Sequence, residues 1–479
     1  MLESRAVTIC VSLGLVIGLG AAVVAWKETP LPKEPPKPAL VTKATQPAAP
    51  AAARLPLVPE STTGPNVPAS LIQPERAKLV PGGKRGPGKL IQDLGKRGSL
   101  EYGIVPELQK TAIDVLAAGE VPFGAVVAIE PSTGRILAWA QHSEEQPSLR
   151  RIPLMANPPA ASVFKLVTAA ALIEQAGVMP ETQVCYHGGH RGLTARSLED
   201  DPRKDKQCET FAQALGNSTN QIFGKLAIGN IDQSALEKFS NRFWFNRTIP
   251  FDLPAEVSSA QIPELSDVDA LGAAGLDKDA AESGKAPSLD GLSRLDRDAR
   301  LKAVLPFART AAGFENTHLS PLHGAMIAAA IANEGVMMAP LLVERHVMPT
   351  KEVAYEARPR PLGRVMKVET AKVLADMMLT TTTEGTAGAY FRNRDAVMDG
   401  IDISGKTGSL SSPDGSGGRF SVTWWVGFSP RENPEIAIAA LVINRDAWKV
   451  KATLVAREVM EAHYRSKLAP AKGRGPSAR

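Results

Sequence analysis

The chain contains little cysteine, with three in 479 residues. Cys10 lies in an apolar N-terminal run, so Cys185 and Cys208 allow at most one disulfide in the rest of the chain. The chain also lacks a strong excess of positive charge, since its net charge of +5 is spread over 479 residues. This argues against nucleic-acid binding. A single apolar run is long enough to cross a bilayer, which argues against a multi-span membrane protein.

That run, Ala6–Trp26, carries no charged residue. As a helix rising 1.5 Å per residue it covers a bilayer core of roughly 30 Å. We expect an uncleaved membrane anchor, with residues 1–5 as a cytoplasmic stub. A cleaved signal peptide is the alternative, because Val23 and Ala25 place small residues before Lys27.

Residues 27–99 are rich in proline and alanine and have no sustained apolar period, so we expect an extended linker. A folded domain is predicted over 100–467, followed by a disordered tail at 468–479. Within that domain, Cys185 and Cys208 suit one disulfide in an oxidising compartment. Two free buried thiols are the alternative.

Strand-like segments occur at both ends of the predicted domain. Residues 124–140 read as two apolar strands joined by a turn at 131–134, and three more strands are predicted at 400–410, 421–429 and 435–444. Between them, 161–246 is rich in helix and is interrupted by a polar loop at 186–207, and 265–300 resembles a surface insertion with short helices at best. We therefore predict an α/β (α+β) fold with an antiparallel sheet of about five strands built from both ends of the domain, flanked by helices, with an inserted helical lobe.

Three short motifs carry candidate chemistry. Ser162 and Lys165 open a predicted helix at spacing i, i+3, which places the lysine amine within reach of the serine hydroxyl. The helix N-terminus and desolvation both favour a neutral amine that can act as a base. Taken alone, this pair is better explained as a surface lysine one turn after a serine cap.

The second and third motifs supply polar groups. Ser218 and Asn220 precede an apolar helix, where a helix cap is the simple interpretation and proton transfer with amide binding is the functional one. Lys406, Thr407, Gly408 and Ser409 lie in a predicted strand, and a cation beside two hydroxyls suits a substrate carboxylate. An exposed turn is the alternative for this last motif.

In this order, the three motifs match the signature of serine β-lactamases and penicillin-binding proteins. The surrounding sequence also resembles penicillin-binding transpeptidases from Leu100 to Tyr464. The segments that carry the resemblance are GAVVAIEPSTGRILAWA, ENTHLSPLHGAMIAAAIANEG, GTAGAYF and WWVGFSPRENPEIAIAALV.

The resemblance implies a role for each motif residue. Ser162 would be the acylated nucleophile, Lys165 its general base, and Ser218 with Lys406 the relay that protonates the leaving D-alanine. Asn220 would bind the peptide amide, Thr407 and Ser409 its terminal carboxylate, and the N–H groups of Ser162 and Ser409 the oxyanion. No metal or other cofactor is implied.

The implied substrate is the D-Ala-D-Ala stem peptide of peptidoglycan, with β-lactams as inhibitors. The implied location is the inner membrane, reached through residues 6–26, with the catalytic domain outside the cytoplasm. A glycan polymerase is a candidate partner, and no nucleic acid is. Within the same fold, a D,D-carboxypeptidase or endopeptidase is the alternative activity, and a penicillin-binding sensor or scaffold without turnover is the alternative of another class.

Overall fold

The computed structural model describes residues 64–65, 67–81, 88–264, 294–392, 394–413, 418–445 and 449–468. The predicted anchor at 6–26 and the predicted tail from 469 onward lie outside these ranges. Within them, no helix is both long enough and apolar enough to span a membrane.

The described strands and helices alternate along the chain. The strands are β1 (Lys78–Val80), β2 (Lys89–Asp93), β3 (Ser99–Tyr102), β4 (Phe123–Ile129), β5 (Ile136–His142), β6 (Gln183–Tyr186), β7 (Gln207–Thr210), β8 (Val336–Met338), β9 (Val343–Val347), β10 (Val353–Glu356), β11 (Pro361–Arg364), β12 (Ser404–Pro413), β13 (Arg419–Ser429) and β14 (Ile436–Asn444). The helices are α1 (Pro106–Ala118), α2 (Lys165–Ala176), α3 (Ala195–Leu198), α4 (Phe211–Asn217), α5 (Asn220–Asn230), α6 (Gln233–Arg242), α7 (Arg294–Ala311), α8 (Pro321–Ala332), α9 (Val368–Thr383), α10 (Gly388–Arg392) and α11 (Ala452–Leu468).

The main sheet has five antiparallel strands in the order β12-β13-β14-β4-β5. Residues 123–142 therefore pair with residues 404–444, which confirms the predicted antiparallel sheet built from both ends of the domain. Strand β4, which lies between β14 and β5, is a continuous apolar run because it is buried on both faces. Strand β12 is an edge strand, so one side of its backbone is open to other groups.

Helices cover both faces of this sheet. On one face, α1 and α11 pack against Val126 and Ala128 of β4. On the other, α8 packs against Val127 and Ile129 and buries every residue from Pro321 to Ile331. Helix α2 belongs to this second layer, so the nucleophile motif at its start lies on the same side of the sheet as α8.

Part of the predicted linker is folded, which corrects the sequence interpretation of 27–99. A second sheet, in the order β1-β2-β3-β9-β10, takes three of its strands from 78–102. In β2, Leu90 and Gln92 are buried while their neighbours face outward. This alternation covers only five residues between proline- and glycine-rich stretches, which is too short to stand out in the sequence.

The segment predicted as a surface insertion ends in a long helix. Residues 265–293 lie outside the described ranges, but α7 extends from Arg294 to Ala311 rather than forming a short helix. It buries Phe307, Ala308 and Ala311, and the next two residues contact Lys165 and the turn before Ser162. The polar character of the segment before the helix concealed this role.

Candidate active site

The Ser162 hydroxyl lies at the start of α2. Residues Ala161–Val163 form one 3-10 turn that leads into the helix, and Lys165 is the first residue of α2. The Nζ atom of Lys165 is 2.8 Å from the Ser162 Oγ atom, as the i, i+3 spacing predicted. Lys165 is fully buried, whereas Ser162 is half-buried.

The environment of Lys165 favours the neutral amine. Burial, and then the positive charge of Lys406, hold its pKa well below the ordinary value of 10.5. Besides Ser162, Nζ contacts the Asn220 Oδ1 atom at 2.6 Å and the Ala312 carbonyl at 3.0 Å. A neutral amine has two N–H donors for these two acceptors and keeps its lone pair for the Ser162 hydroxyl proton. This is the hydrogen-bonding pattern of a general base.

Lys406 brings a second buried amine to the site from the edge strand. Its Nζ donates to the Thr407 carbonyl at 2.8 Å, and burial lowers its pKa to about 7. The Lys406 side chain is fully buried in β12. The amine therefore gains and loses its proton in the neutral pH range. Such a group can pass on a proton, and in its protonated form it can bind a carboxylate.

Gly408 allows the edge strand to approach the turn that carries Ser162. A Cβ atom on Gly408 would lie 3.1 Å from Trp424 Cβ and 3.3 Å from Val163 Cγ2, so the neighbouring groups would have to shift. The Trp424 indole N–H donates to the Pro159 carbonyl at 2.9 Å, which links the sheet to the same turn. Both contacts hold β12 beside Ser162.

Thr407 and Ser409 line the open side of β12. The Thr407 carbonyl accepts from Lys406, so it points away from β13. In an antiparallel pair, alternate residues direct both N–H and C=O to the same side, so the N–H of Ser409 also points away from β13. The Thr407 Oγ1 atom lies 2.6 Å from the Thr386 Oγ1 atom. Sequence reasoning did not single out Thr386, although it lies in the family-like segment GTAGAYF.

Ser218 and Asn220 flank the start of α5. Ser218 has a left-handed backbone with φ 62° and is half-buried between α4 and α5. Asn220 holds Lys165 through Oδ1 and donates from Nδ2 to the Arg191 carbonyl at 2.7 Å. Because the amide group keeps one further N–H, Asn220 positions the base and still has a donor for a peptide carbonyl.

The loop between β6 and β7 packs against this motif. Cys185 and Cys208 are joined by a disulfide and face each other in the two-stranded β6-β7 ladder. The Glu209 carboxylate accepts from Thr219 Oγ1 at 2.7 Å and from the Tyr186 hydroxyl at 3.0 Å. The β6-β7 hairpin is thus attached to Thr219, the residue between Ser218 and Asn220.

Gly313 supports the turn that carries Ser162. Its φ is +83°, and a Cβ atom there would lie 2.0 Å from the Ala161 carbonyl oxygen. Ala161 itself has φ 47°, an uncommon conformation for a residue with a Cβ atom. The close packing of Gly313 on this peptide maintains the conformation that leads into the nucleophile. Nothing in the local sequence near Ser162 points to a residue 151 positions later (313 − 162 = 151).

The arrangement supplies what acyl transfer requires. It combines a hydroxyl with an adjacent neutral base, a second titratable amine, and a strand edge with an outward N–H group. Within the described ranges, no group of three or more His, Cys, Asp or Glu side chains could hold a metal ion.

Comparisons with known proteins agree with this chemistry. A family model described as "Penicillin binding protein transpeptidase domain" matches residues 124–461. The chain is 24% identical over 384 residues to the peptidoglycan D,D-transpeptidase PbpA of Mycolicibacterium smegmatis, covering 72% of this chain and 67% of that protein. It is 22% identical to the stage V sporulation protein D of Bacillus subtilis, covering 71% of this chain and 48% of that protein.

Solved structures share the fold. Penicillin-binding protein A from M. tuberculosis, solved as an imipenem acyl-enzyme complex, superposes with a TM-score of 0.56 at 22% identity and covers 76% of this chain and 79% of that chain. The D,D-transpeptidase domain of a peptidoglycan glycosyltransferase from Eggerthella lenta gives a TM-score of 0.55 at 24% identity, covering 77% of this chain and 83% of that chain.

Proposed function

The chain belongs to the penicillin-binding protein transpeptidase family, and from that premise we propose that it is a serine D,D-transpeptidase that cross-links peptidoglycan stem peptides through an acyl-Ser162 intermediate. The observation that carries the proposal is the contact between the Lys165 amine and the Ser162 hydroxyl, in a buried site where the amine is neutral. Burial of an amine costs folding free energy, so a fully buried neutral amine at this position is better explained by proton transfer than by a contribution to stability.

The proposed reaction begins with attack of Ser162 Oγ on the carbonyl carbon of the penultimate D-alanine. Lys165 takes the hydroxyl proton, and the backbone N–H groups of Ser162 and Ser409 bind the resulting oxyanion. The terminal carboxylate of the donor lies at Lys406, Thr407 and Ser409. When the tetrahedral intermediate collapses, the terminal D-alanine leaves as an amine that receives its proton through Ser218 and Lys406. An acceptor amine then attacks the ester and releases Ser162.

Labelling with benzylpenicillin tests the nucleophile and its base. The protein should gain the mass of one penicillin on the peptide that contains Ser162, and Ser162→Ala should abolish the adduct. Lys165→Ala should slow labelling by a factor on the order of 10² or more, the usual scale for loss of a positioned base. Thr407→Val should have a smaller effect, because it removes one hydroxyl from a site with several polar groups. Equal labelling of Ser162→Ala and wild type would assign the nucleophile elsewhere.

Turnover of a pentapeptide distinguishes the alternatives. A transpeptidase should form a cross-linked product when an acceptor amine is present. A carboxypeptidase should hydrolyse the acyl-enzyme with water, so its rate of D-alanine release should be the same with and without the acceptor. A sensor or scaffold should form the penicillin adduct and turn over neither substrate. The transpeptidase proposal fails if the acceptor changes neither the product nor the rate.

A further inference from the structure

The loop from His187 to Leu193, which we call the rim loop, is fixed to the active site by its backbone. The His190 carbonyl accepts from the Asn220 backbone N–H at 3.1 Å, and the Arg191 carbonyl accepts from Asn220 Nδ2 at 2.7 Å. The next carbonyl, that of Gly192, accepts from the Gln221 side-chain amide. Three consecutive carbonyls of the rim loop are thus bound by two consecutive residues of α5.

These bonds place Arg191 close to the reacting groups. Its carbonyl is hydrogen-bonded to Asn220, which contacts Lys165 at 2.6 Å, and Lys165 in turn contacts Ser162 at 2.8 Å. The Arg191 side chain is exposed and has no ion-pair partner within the described ranges. Because its main chain is already fixed, Arg191 can bind a ligand without the further cost of ordering the loop, and only its side-chain rotamers become restricted.

The charge around Arg191 favours an anion. The carboxylate of Glu209 lies near the rim loop, but its two oxygens already accept from Tyr186 and Thr219. A second cation, Lys451, lies near Arg191. The pKa of Lys451 is lowered first by burial and then by the positive charge of Arg191. Lys451 precedes Ala452, whose N–H donates to Thr423, the residue paired with Ser409 in the sheet. Arg191 and Lys451 therefore add positive charge to the same neighbourhood.

The direction of the donor peptide follows from the proposed function, on which this inference rests. With its terminal carboxylate at Lys406 and Thr407 and its reacting carbonyl at Ser162, the donor must continue past Asn220 toward the rim loop. We propose that Arg191 binds a carboxylate on the side chain of the residue that precedes D-Ala-D-Ala in the donor. A planar guanidinium suits bidentate pairing with such a group.

Two synthetic donors that differ only at that side chain, carboxylate in one and carboxamide in the other, test the proposal. The readout is the rate at which each acylates Ser162 in the purified full-length protein, with no acceptor present. Wild type should react about 10-fold or more faster with the carboxylate donor, the usual scale for a charge-assisted hydrogen bond. In Arg191→Gln the ratio of the carboxylate-donor rate to the carboxamide-donor rate should fall close to one, and the rate with the carboxamide donor should be unchanged. Arg191→Lys should retain an intermediate ratio.

The matched control is Arg203→Gln, which removes another exposed arginine of the β6-β7 connection and should keep the wild-type ratio. Benzylpenicillin has an uncharged side chain, so it should label Arg191→Gln at the wild-type rate and thereby report an intact site. Equal rates with both donors in wild type, or an unchanged ratio in Arg191→Gln, would overturn the assignment while leaving the proposed function in place. Slower penicillin labelling of Arg191→Gln at an unchanged ratio would show that Arg191 only positions Asn220. Failure of both donors to acylate Ser162 would instead contradict the proposed function itself.

Discussion

Lys165 and Lys406, to which we assign the proton transfers of the proposed reaction, also destabilise the folded chain. Both side chains are fully buried, and the hydrogen-bond acceptors described for them are neutral. Transfer of an amine from water to such a site disfavours its protonated form, so both pKa values are lowered. The lower pKa is useful for proton transfer near neutrality, and it reduces the free energy of unfolding.

We expect Lys406→Met to stabilise the protein while inactivating it. The pKa of Lys406 falls from 10.5 in the unfolded chain to about 7 in the folded one. Between these values the unfolded chain binds more protons, so wild-type stability rises with pH across this window. The variant lacks this dependence and should be more stable by about 2 to 4 kcal/mol at pH 7, with the difference vanishing near pH 10.5. Urea unfolding at several pH values measures it, and a difference that grows with pH would contradict the assignment.

Gly313→Ala should impair both the fold and acylation. The added Cβ would overlap the Ala161 carbonyl, so the turn that carries Ser162 must shift. We expect a loss of about 3 kcal/mol or more and a large decrease in the rate of penicillin labelling. Gly177→Ala is the matched control, because Gly177 also has a positive φ of +67° but nothing within 4 Å of its Cβ position. It should lose about 1 kcal/mol from backbone strain and label normally.

At the scale of elements, the β6-β7 hairpin links stability to the site. Its disulfide joins cysteines 23 positions apart, which corresponds to about 3 kcal/mol in the chain-entropy model. The Cys185→Ser, Cys208→Ser double variant should therefore unfold at a lower denaturant concentration than wild type. Cys10→Ser should not, and it controls for the loss of a thiol. Equal unfolding midpoints for the double variant and wild type would mean that the bond contributes nothing.

Strands β1 and β2 should stabilise the folded domain. Strand β3 pairs with β9, and Leu100 and Tyr102 are buried in the same core as the nucleophile helix. A fragment that starts at Leu100 lacks β1 and β2, which exposes one edge of β3 and removes the buried Leu90. We expect it to melt at a lower temperature than a fragment starting at Gly64, and to aggregate more readily. Identical melting of the two fragments would restore the linker interpretation for 64–99.

The elements that could be predicted from sequence are those with long, regular patterns. Strands β4 and β14 contain continuous apolar runs of seven residues or more, and the i, i+3 spacing placed Lys165 against Ser162. Contacts between distant segments had no such signal. The Ala312 carbonyl meets Lys165 across 147 positions, and its helix follows a segment of insertion-like composition. The predicted disulfide between Cys185 and Cys208 is confirmed, although spacing alone did not distinguish a bond from two free thiols.

For the whole molecule, the proposed substrate fixes which side of the membrane holds the active site. Stem peptides lie outside the inner membrane, so we propose that residues 6–26 anchor a domain exposed there. A reporter that functions only in the cytoplasm, fused after Arg479, should be inactive. The same reporter fused to a chain that lacks residues 1–26 stays in the cytoplasm and should be active, which controls for expression. Activity of the full-length fusion would contradict both the location and the substrate.

The order of strands in the main sheet also has a consequence during synthesis. Strand β4 ends at Ile129, but its partner β14 begins at Ile436, about 300 residues later. At 5–20 residues per second, this is an interval of roughly 15 to 60 s in which β4 lacks that neighbour. Ser162 and Lys165 are made early in the interval, whereas Lys406 and the rest of β12, the strand proposed to bind the substrate, come near its end. A ribosome that stalls between α2 and β12 would therefore leave a chain that carries Ser162 and Lys165 but lacks the strand proposed to hold a donor, so we expect such truncated products to be unreactive.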